Sequence, residues 1–316
     1  MMKAAVLATD DQFRVTEIAE PVPGHGEVAI RVAYAGVQWG DVLVREGHFP
    51  TPRPFVPGFE AAGRIIAVGE GVDPARVGEQ VIALTSSGAF AEVVAVSSVL
   101  AIAAPALDPR TAAAFGWVTP TAYDLINTVA GVGPGQSVLI HAAAGGVGTL
   151  AGQFARAAGA GRVVGVVGDA EQVDYARRLG YDQVLSREDF PQALDGEHFD
   201  VILDPIGGQT RLACLERLAP HGRLVVYGNI ATFEPVSVSA NDLLMQGTSM
   251  LTYNSNLLSR THPERLAGSA RRALELVGDG RVGIDITAEH ELADVETAIA
   301  DLAGGATRGK SIVRIG

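Results

Sequence analysis

The stretch Ser137-Val138-Leu139-Ile140-His141-Ala142-Ala143-Ala144-Gly145-Gly146-Val147-Gly148 decides the fold. Ser137–His141 is a short apolar run bounded by small residues, which predicts a buried strand. Gly148–Ala158 is Ala-rich, with apolar residues three and four apart, which predicts a helix. Small side chains at 142–146 let a main chain come close to a pyrophosphate, and Gly148 lets the helix pack on the strand. The free N–H groups and positive dipole end of that helix then face the phosphate charge. A glycine triplet alone also fits a tight turn in some other α/β protein. Here a second strand, Arg162–Val167, follows at the spacing of a βαβ unit, so the reading is a dinucleotide site. Ala144, Gly145, Gly146, Val147 and Gly148 are its phosphate-binding candidates.

Downstream the alternation continues with a helix at Ala170–Leu179, a strand at Phe199–Leu203, a helix at Thr210–Leu218 and a strand at Arg223–Tyr227. Strands separated by single helices predict a parallel, doubly wound sheet, because parallel neighbours need crossover connections. At the end of the second strand stand Val167, Gly168 and only then Asp169. That carboxylate either holds a ribose hydroxyl or caps the helix that begins at Ala170, so the residues alone leave the choice of coenzyme open.

Upstream, Val28–Tyr34, Gly63–Val68, Gln80–Ala83 and Phe90–Val96 are β-branched runs separated by turn-forming pieces such as Gly69-Glu70-Gly71. They predict a barrel-like, mainly antiparallel lobe. Thr111–Val129 reads as helix. After a strand at Ser249–Tyr253 the pattern weakens to a helix from Pro263 to about Val277 and a strand-like end, Ser311–Ile315.

The 316 residues exceed one average domain, and 47% hydrophobic with 19% charged residues is a globular mixture, which predicts two folded lobes. A net charge of −12 repels a nucleic-acid backbone. Cys214 is the only cysteine, which excludes an intramolecular disulfide and a zinc site of several thiolates. No stretch has the roughly 18 uninterrupted apolar residues of a membrane span, and Met1–Ala8 has no signal-peptide core. The expectation is a soluble, cytoplasmic protein with no membrane and no nucleic-acid partner.

Gly36-Val37-Gln38-Trp39-Gly40-Asp41-Val42-Leu43-Val44-Arg45-Glu46-Gly47, Pro57-Gly58-Phe59-Glu60-Ala61-Ala62-Gly63, Thr121-Ala122-Tyr123, the glycine-rich turn and Arg308-Gly309-Lys310 together resemble the medium-chain dehydrogenase/reductase superfamily, in its zinc-free quinone oxidoreductase branch. The resemblance covers nearly the whole chain. It implies an α/β protein with a GroES-like β-rich catalytic domain (residues 1–119 and 254–316) and a Rossmann domain (residues 120–253), with the active site in the cleft between them. Zinc-dependent relatives carry Cys near position 38 and a Gly-His-Glu triplet. Gln38 and Gly58-Phe59-Glu60 stand there in this chain, so no metal is expected. Pairing of edge strands in relatives implies a homodimer through Ser249–Tyr253.

The resemblance also implies NADPH, with NADH the alternative. The lysine that often meets the 2′-phosphate is Gln172 here, and Asp169 repels a phosphate dianion. Arg187 is the compensating cation. Gly168, Asp169, Arg187 and Gly228 join the turn as coenzyme-binding candidates, and Thr121 matches a segment that approaches the nicotinamide, while Tyr123 fits simple packing.

Without a metal, the chemistry reduces to positioning and to stabilising charge on an acceptor oxygen. Gln38 is the candidate hydrogen-bond donor to that oxygen, or else a side chain closing a loop. Asp41 lines the nicotinamide end in relatives. Arg45, four residues on, either pairs with Asp41 on a helical turn or touches substrate. Two tyrosines that face the quinone in some relatives are Leu43 and Phe49 here. Trp39, Phe49 and Phe59 line an apolar pocket or belong to the core. His48 is a candidate proton donor, His141 a strand-end residue and Cys214 an inert core thiol. The expected activity is hydride transfer from NADPH to a quinone or an α,β-unsaturated carbonyl compound. The rivals are an enoyl thioester reductase of polyketide type and a non-catalytic dinucleotide-binding protein.

Overall fold

The computed structural model describes residues 1–190, 192–305 and 307–316. Along the chain run β1 (Met2–Leu7), β2 (Phe13–Ile18), β3 (Glu27–Val37), α1 (Trp39–Arg45), β4 (Glu60–Val68), β5 (Gln80–Leu84), β6 (Val93–Ser97), β7 (Ala101–Ala103), α2 (Pro109–Phe115) and α3 (Val118–Tyr123). Then follow β8 (Ser137–His141), α4 (Gly146–Ala157), β9 (Arg162–Val167), α5 (Val173–Arg177), β10 (Gln183–Ser186), β11 (Phe199–Asp204), α6 (Gly208–Glu216), β12 (Leu218–Val226), α7 (Ala240–Gln246) and β13 (Ser249–Thr252). The last are α8 (Ser255–Thr261), α9 (Pro263–Gly278), β14 (Ile286–Glu291), α10 (Val295–Ala303) and β15 (Lys310–Arg314). They form two compact units, one of Met1–Pro120, Leu258–Gly278 and Ile284–Gly316, the other of Thr121–Leu257 and Asp279–Gly283.

In the first unit β14-β15-β3-β4-β5-β7 lie side by side, and β6 pairs with β3. All neighbours are antiparallel except β14 and β15. The register sets Gly36 opposite Glu60 and Ser311 opposite Val37, so residues far apart in sequence meet at one end of β3. α2 starts where Asp108 accepts from the Arg110 and Thr111 amides, and it buries Ala112–Phe115. The single helix expected over Thr111–Val129 is corrected. Gly116 (φ 16°, ψ −131°) ends α2, α3 resumes at Val118, and 124–129 form a wider π turn. The break has a cause outside the local pattern, because the Trp117 amide donates to the Glu60 carboxylate at 2.6 Å.

The second unit is a six-stranded sheet in the order β10-β9-β8-β11-β12-β13, every neighbouring pair parallel. β8, β9 and β11, at the centre of the sheet, read as near-continuous apolar runs because both their faces are covered. Leu139, Val164, Val166, Phe199, Ile202, Cys214 and Leu224 form one buried cluster. This is the doubly wound order, whose strand sequence reverses between β8 and β11 and whose ligands gather at the carboxyl ends of the strands. The helix expected at 170–179 is a 3₁₀ turn, Ala170–Gln172, followed by α5. Leu218, expected at the end of a helix, instead opens β12. Among the described residues, no helix is long and apolar enough to cross a membrane.

Candidate active site

The turn after β8 begins on a strained residue. Ala142 sits at φ 53°, a left-handed conformation that costs a non-glycine residue roughly 1–2 kcal/mol. Its carbonyl accepts from the Gly145 amide at 3.0 Å, which folds the turn back under α4. A Cβ at Gly148 would come 2.7 Å from the Ala143 Cα and overlap the Ala142 carbonyl, so only glycine lets α4 seat this closely. The first helical bond is Thr149 N–H to Gly145 O at 2.9 Å, and the N-cap Gly145 offers no side-chain acceptor. The Gly146, Val147 and Gly148 amides thus head a twelve-residue helix without a side-chain cap. That donor set fits a diphosphate.

The other nucleotide candidates lie at the same sheet edge. Asp169 is a cap: its Oδ1 accepts from the Gln172 amide at 3.1 Å. Gln172 is buried and its Oε1 folds back to the Gly168 amide at 3.4 Å. Arg187 follows β10, and its amide donates to the Val167 carbonyl at 2.8 Å, which holds its exposed side chain next to the end of β9. Gly228 follows β12.

One part of this edge was not read from the sequence. Buried Asp204, at the end of β11, takes the Ile206 and Gly207 amides on one oxygen and the Arg211 Nε on the other at 2.7 Å. Arg211 also donates to the Gly228 carbonyl at 2.8 Å and the Asn229 side chain at 3.0 Å. It therefore staples the ends of β11 and β12. The Asp204 to Arg211 spacing of seven, opening a helix, was the available signal.

Thr121 lies on α3, one turn before Asp124. Buried Asp124 accepts from the Thr128 hydroxyl and from the Tyr253 hydroxyl, each at 2.8 Å, and Tyr253 directly follows β13. These bonds tie the Thr121 segment to the carboxyl edge of the sheet. Tyr123 packs edge-on against Phe154 at 5.7 Å.

In the first unit, Gln38 caps α1. Its Oε1 accepts from the Gly40 amide at 3.3 Å, leaving the carboxamide NH₂ with no partner among the described residues. Asp41 reaches back to the Gln38 amide at 2.9 Å and across to the Gly58 amide at 3.0 Å. Burial, reinforced by the Glu60 charge, pushes its carboxyl up to about 7 in spite of those bonds. The expected Asp41–Arg45 pair is corrected: Asp41 is spent on main-chain amides, and Arg45 pairs with Glu296 at 2.9 Å on the surface. Trp39 and Phe59 are half-buried and Phe49 is exposed, so none of the three is plain core. His48 is exposed, with its Nε2 3.7 Å from the Glu46 carboxylate.

His141 and Cys214 meet inside the second unit, Sγ to Nε2 at 3.2 Å. Burial lowers His141 to about 4 and raises the Cys214 thiol, so both stay neutral at physiological pH. Among the described residues no group of three or more His, Cys, Asp and Glu is set to hold a metal ion.

Residues 24–106 match the model of the "alcohol dehydrogenase GroES-like domain" and residues 146–270 that of the "zinc-binding dehydrogenase" family. The human synaptic vesicle membrane protein VAT-1 homolog is 30% identical over 293 residues, covering 84% of this chain and 72% of that protein. The chain belongs to the medium-chain dehydrogenase/reductase superfamily. A phenolphthiocerol/phthiocerol polyketide synthase polypeptide of Mycobacterium tuberculosis is 29% identical to this superfamily member over 314 residues. The chain spans only 14% of that protein's length, though 96% of its own. The structure of Escherichia coli quinone oxidoreductase complexed with NADPH matches with a TM-score of 0.88 and 27% identity, covering 99% of each chain.

Proposed function

We propose that this protein is a zinc-independent, NADPH-dependent oxidoreductase that reduces a conjugated acceptor, a quinone or an α,β-unsaturated carbonyl compound. The observation that carries the reading is the uncapped amide triad of Gly146–Gly148 behind the strained Ala142 turn, a diphosphate cradle at the switch point of a doubly wound sheet. The NADPH-bound quinone oxidoreductase that matches the whole chain supports it. Bound reduced nicotinamide supplies two electrons as hydride. The chain's own residues hold the diphosphate, orient the acceptor and donate to its oxygen. Gln38 NH₂ stabilises the enolate or hydroquinone oxygen as negative charge gathers there, and a solvent proton completes the reduction. Zinc independence is part of the reading, because the Glu60 carboxylate is taken by Lys310 and Trp117 and a carboxamide stands at 38.

The polyketide synthase match favours a second reading, an enoyl thioester as acceptor. Oxidation of NADPH followed at 340 nm against a quinone panel, an enone panel and an enoyl thioester separates the two. Binding with no turnover on any of them points to a non-catalytic dinucleotide-binding protein and overturns the proposal.

In this reading Arg187 meets the 2′-phosphate. Arg187→Ala raises the Kd for NADPH about tenfold or more, one charge-assisted contact, and leaves that for NADH within about twofold. Equal weakening of both coenzymes counts against the assignment.

A homodimer belongs to the same proposal. β13 is a sheet edge, no residue of 229–257 is buried, and Leu244, Met245 and Met250 are exposed. A second copy laying its own β13 alongside covers them. Sedimentation is expected to give a dimer that Met250→Lys dissociates, and a monomeric wild type counts against it.

A further inference from the structure

The carbonyl of Val37 and the amide of Gln38 are the two ends of one peptide group, and each end meets a buried ionisable side chain. The Lys310 Nζ donates to Val37 O at 2.7 Å, and Asp41 Oδ2 accepts from the Gln38 amide at 2.9 Å. Lys310 is itself ion-paired with Glu60, and both side chains are buried. The remaining Glu60 oxygen takes the Trp117 amide. Space for that carboxylate exists only because residues 36 and 116 are glycine, as a Cβ at either would overlap it. The Lys310 ammonium thus holds the peptide at its oxygen and the Asp41 carboxyl holds it at the N–H, with opposite charges pulling along the peptide dipole once Asp41 ionises, above about pH 7. Charge-assisted bonds of this kind are roughly twice as strong as neutral ones. The residue that this peptide introduces is Gln38. Capping α1 accounts for Asp41 but not for Lys310, whose strand lies about 270 residues further along the chain.

We propose that Lys310 and Asp41 are positioning residues that clamp the Val37–Gln38 peptide from both ends and so aim the Gln38 carboxamide at the acceptor oxygen. Glu60 orients Lys310 within the same clamp. The inference rests on the reading of Gln38 as the oxygen's hydrogen-bond donor.

The test is a mutant cycle. Lys310→Met alone leaves Glu60 as an uncompensated buried charge, so the pair is neutralised together as Lys310→Met with Glu60→Gln. In a folded protein with its NADPH Kd unchanged, kcat is expected to fall about tenfold, as a small misplacement of a catalytic group does. In the Gln38→Ala background the same pair of changes is expected to alter kcat by less than about twofold, because nothing is left to aim. Asp41→Asn, which keeps the Lys310–Glu60 pair, is expected to behave alike and serves if the neutralised pair does not fold. A readout without coenzyme or turnover is hydrogen exchange at the Gln38 amide, expected to quicken about tenfold or more in either variant. Losses of equal size in both backgrounds, or unaltered exchange at Gln38, overturn the clamp and leave the donor role of Gln38 standing. A silent Gln38→Ala overturns the donor role and the clamp with it.

Discussion

Gln38→Ala lowers kcat for acceptor reduction by about a hundredfold and leaves the Kd for NADPH within about twofold. The magnitude is that of removing one preorganised donor from a developing oxyanion. The structure gives the reason for expecting a donor rather than an acceptor at this place. The Gln38 oxygen is turned to the Gly40 amide, so the end left free is the NH₂. Gln38→Glu keeps the side-chain length and the cap acceptor but removes both donors and adds a charge, so it is expected to be at least as damaging as alanine. Coenzyme binding is expected to be spared because the residues proposed to hold it belong to the other unit. Steady-state kinetics with a coenzyme titration check both halves. If kcat is unchanged in Gln38→Ala, the side chain only closes the start of α1.

Gly148→Val raises the Kd for NADPH about a hundredfold. The valine Cβ has no place beside Ala142 and Ala143, so α4 must move away from β8 and carry the Gly146–Gly148 amides with it. Losing one to two charge-assisted hydrogen bonds, at roughly 1.5–3 kcal/mol each, accounts for the factor. Overpacking of this size also lowers stability by about 1–3 kcal/mol, so circular dichroism and a thermal melt must accompany the titration. A folded Gly148→Val protein with wild-type affinity would mean that the turn is not the diphosphate site.

The second unit was legible because its constraints are local. A strand buried on both faces is apolar throughout, as in Val138–Ile140 and Val201–Leu203, and each helix follows its strand within a few residues. The first unit was less so. β2 is exposed along most of its length and β14 carries Glu289, His290 and Glu291, so neither shows a two-residue alternation of buried and polar positions. No continuous helix forms across 111–129, because what stops it at Gly116 is a carboxylate more than fifty residues upstream, out of reach of local periodicity. The same limit governs the candidate site. Gly146–Gly148 were visible in one stretch, whereas the partners of Asp41, Arg45 and Lys310 are chosen by the folded chain: Gly58 seventeen residues away, Glu296 at 251 and Glu60 at 250. A helical spacing of four between Asp41 and Arg45 proved weaker than two main-chain amides offered at bonding distance.

Isothermal titration of the intact protein with NADPH and with NADH decides whether the Gly146–Gly148 turn holds a dinucleotide. Saturable one-to-one binding of NADPH with a roughly micromolar Kd, tighter than NADH, is expected if the Gly146–Gly148 amides and Arg187 hold its phosphates as proposed. No heat and no fluorescence change with either nucleotide at millimolar concentration would contradict it.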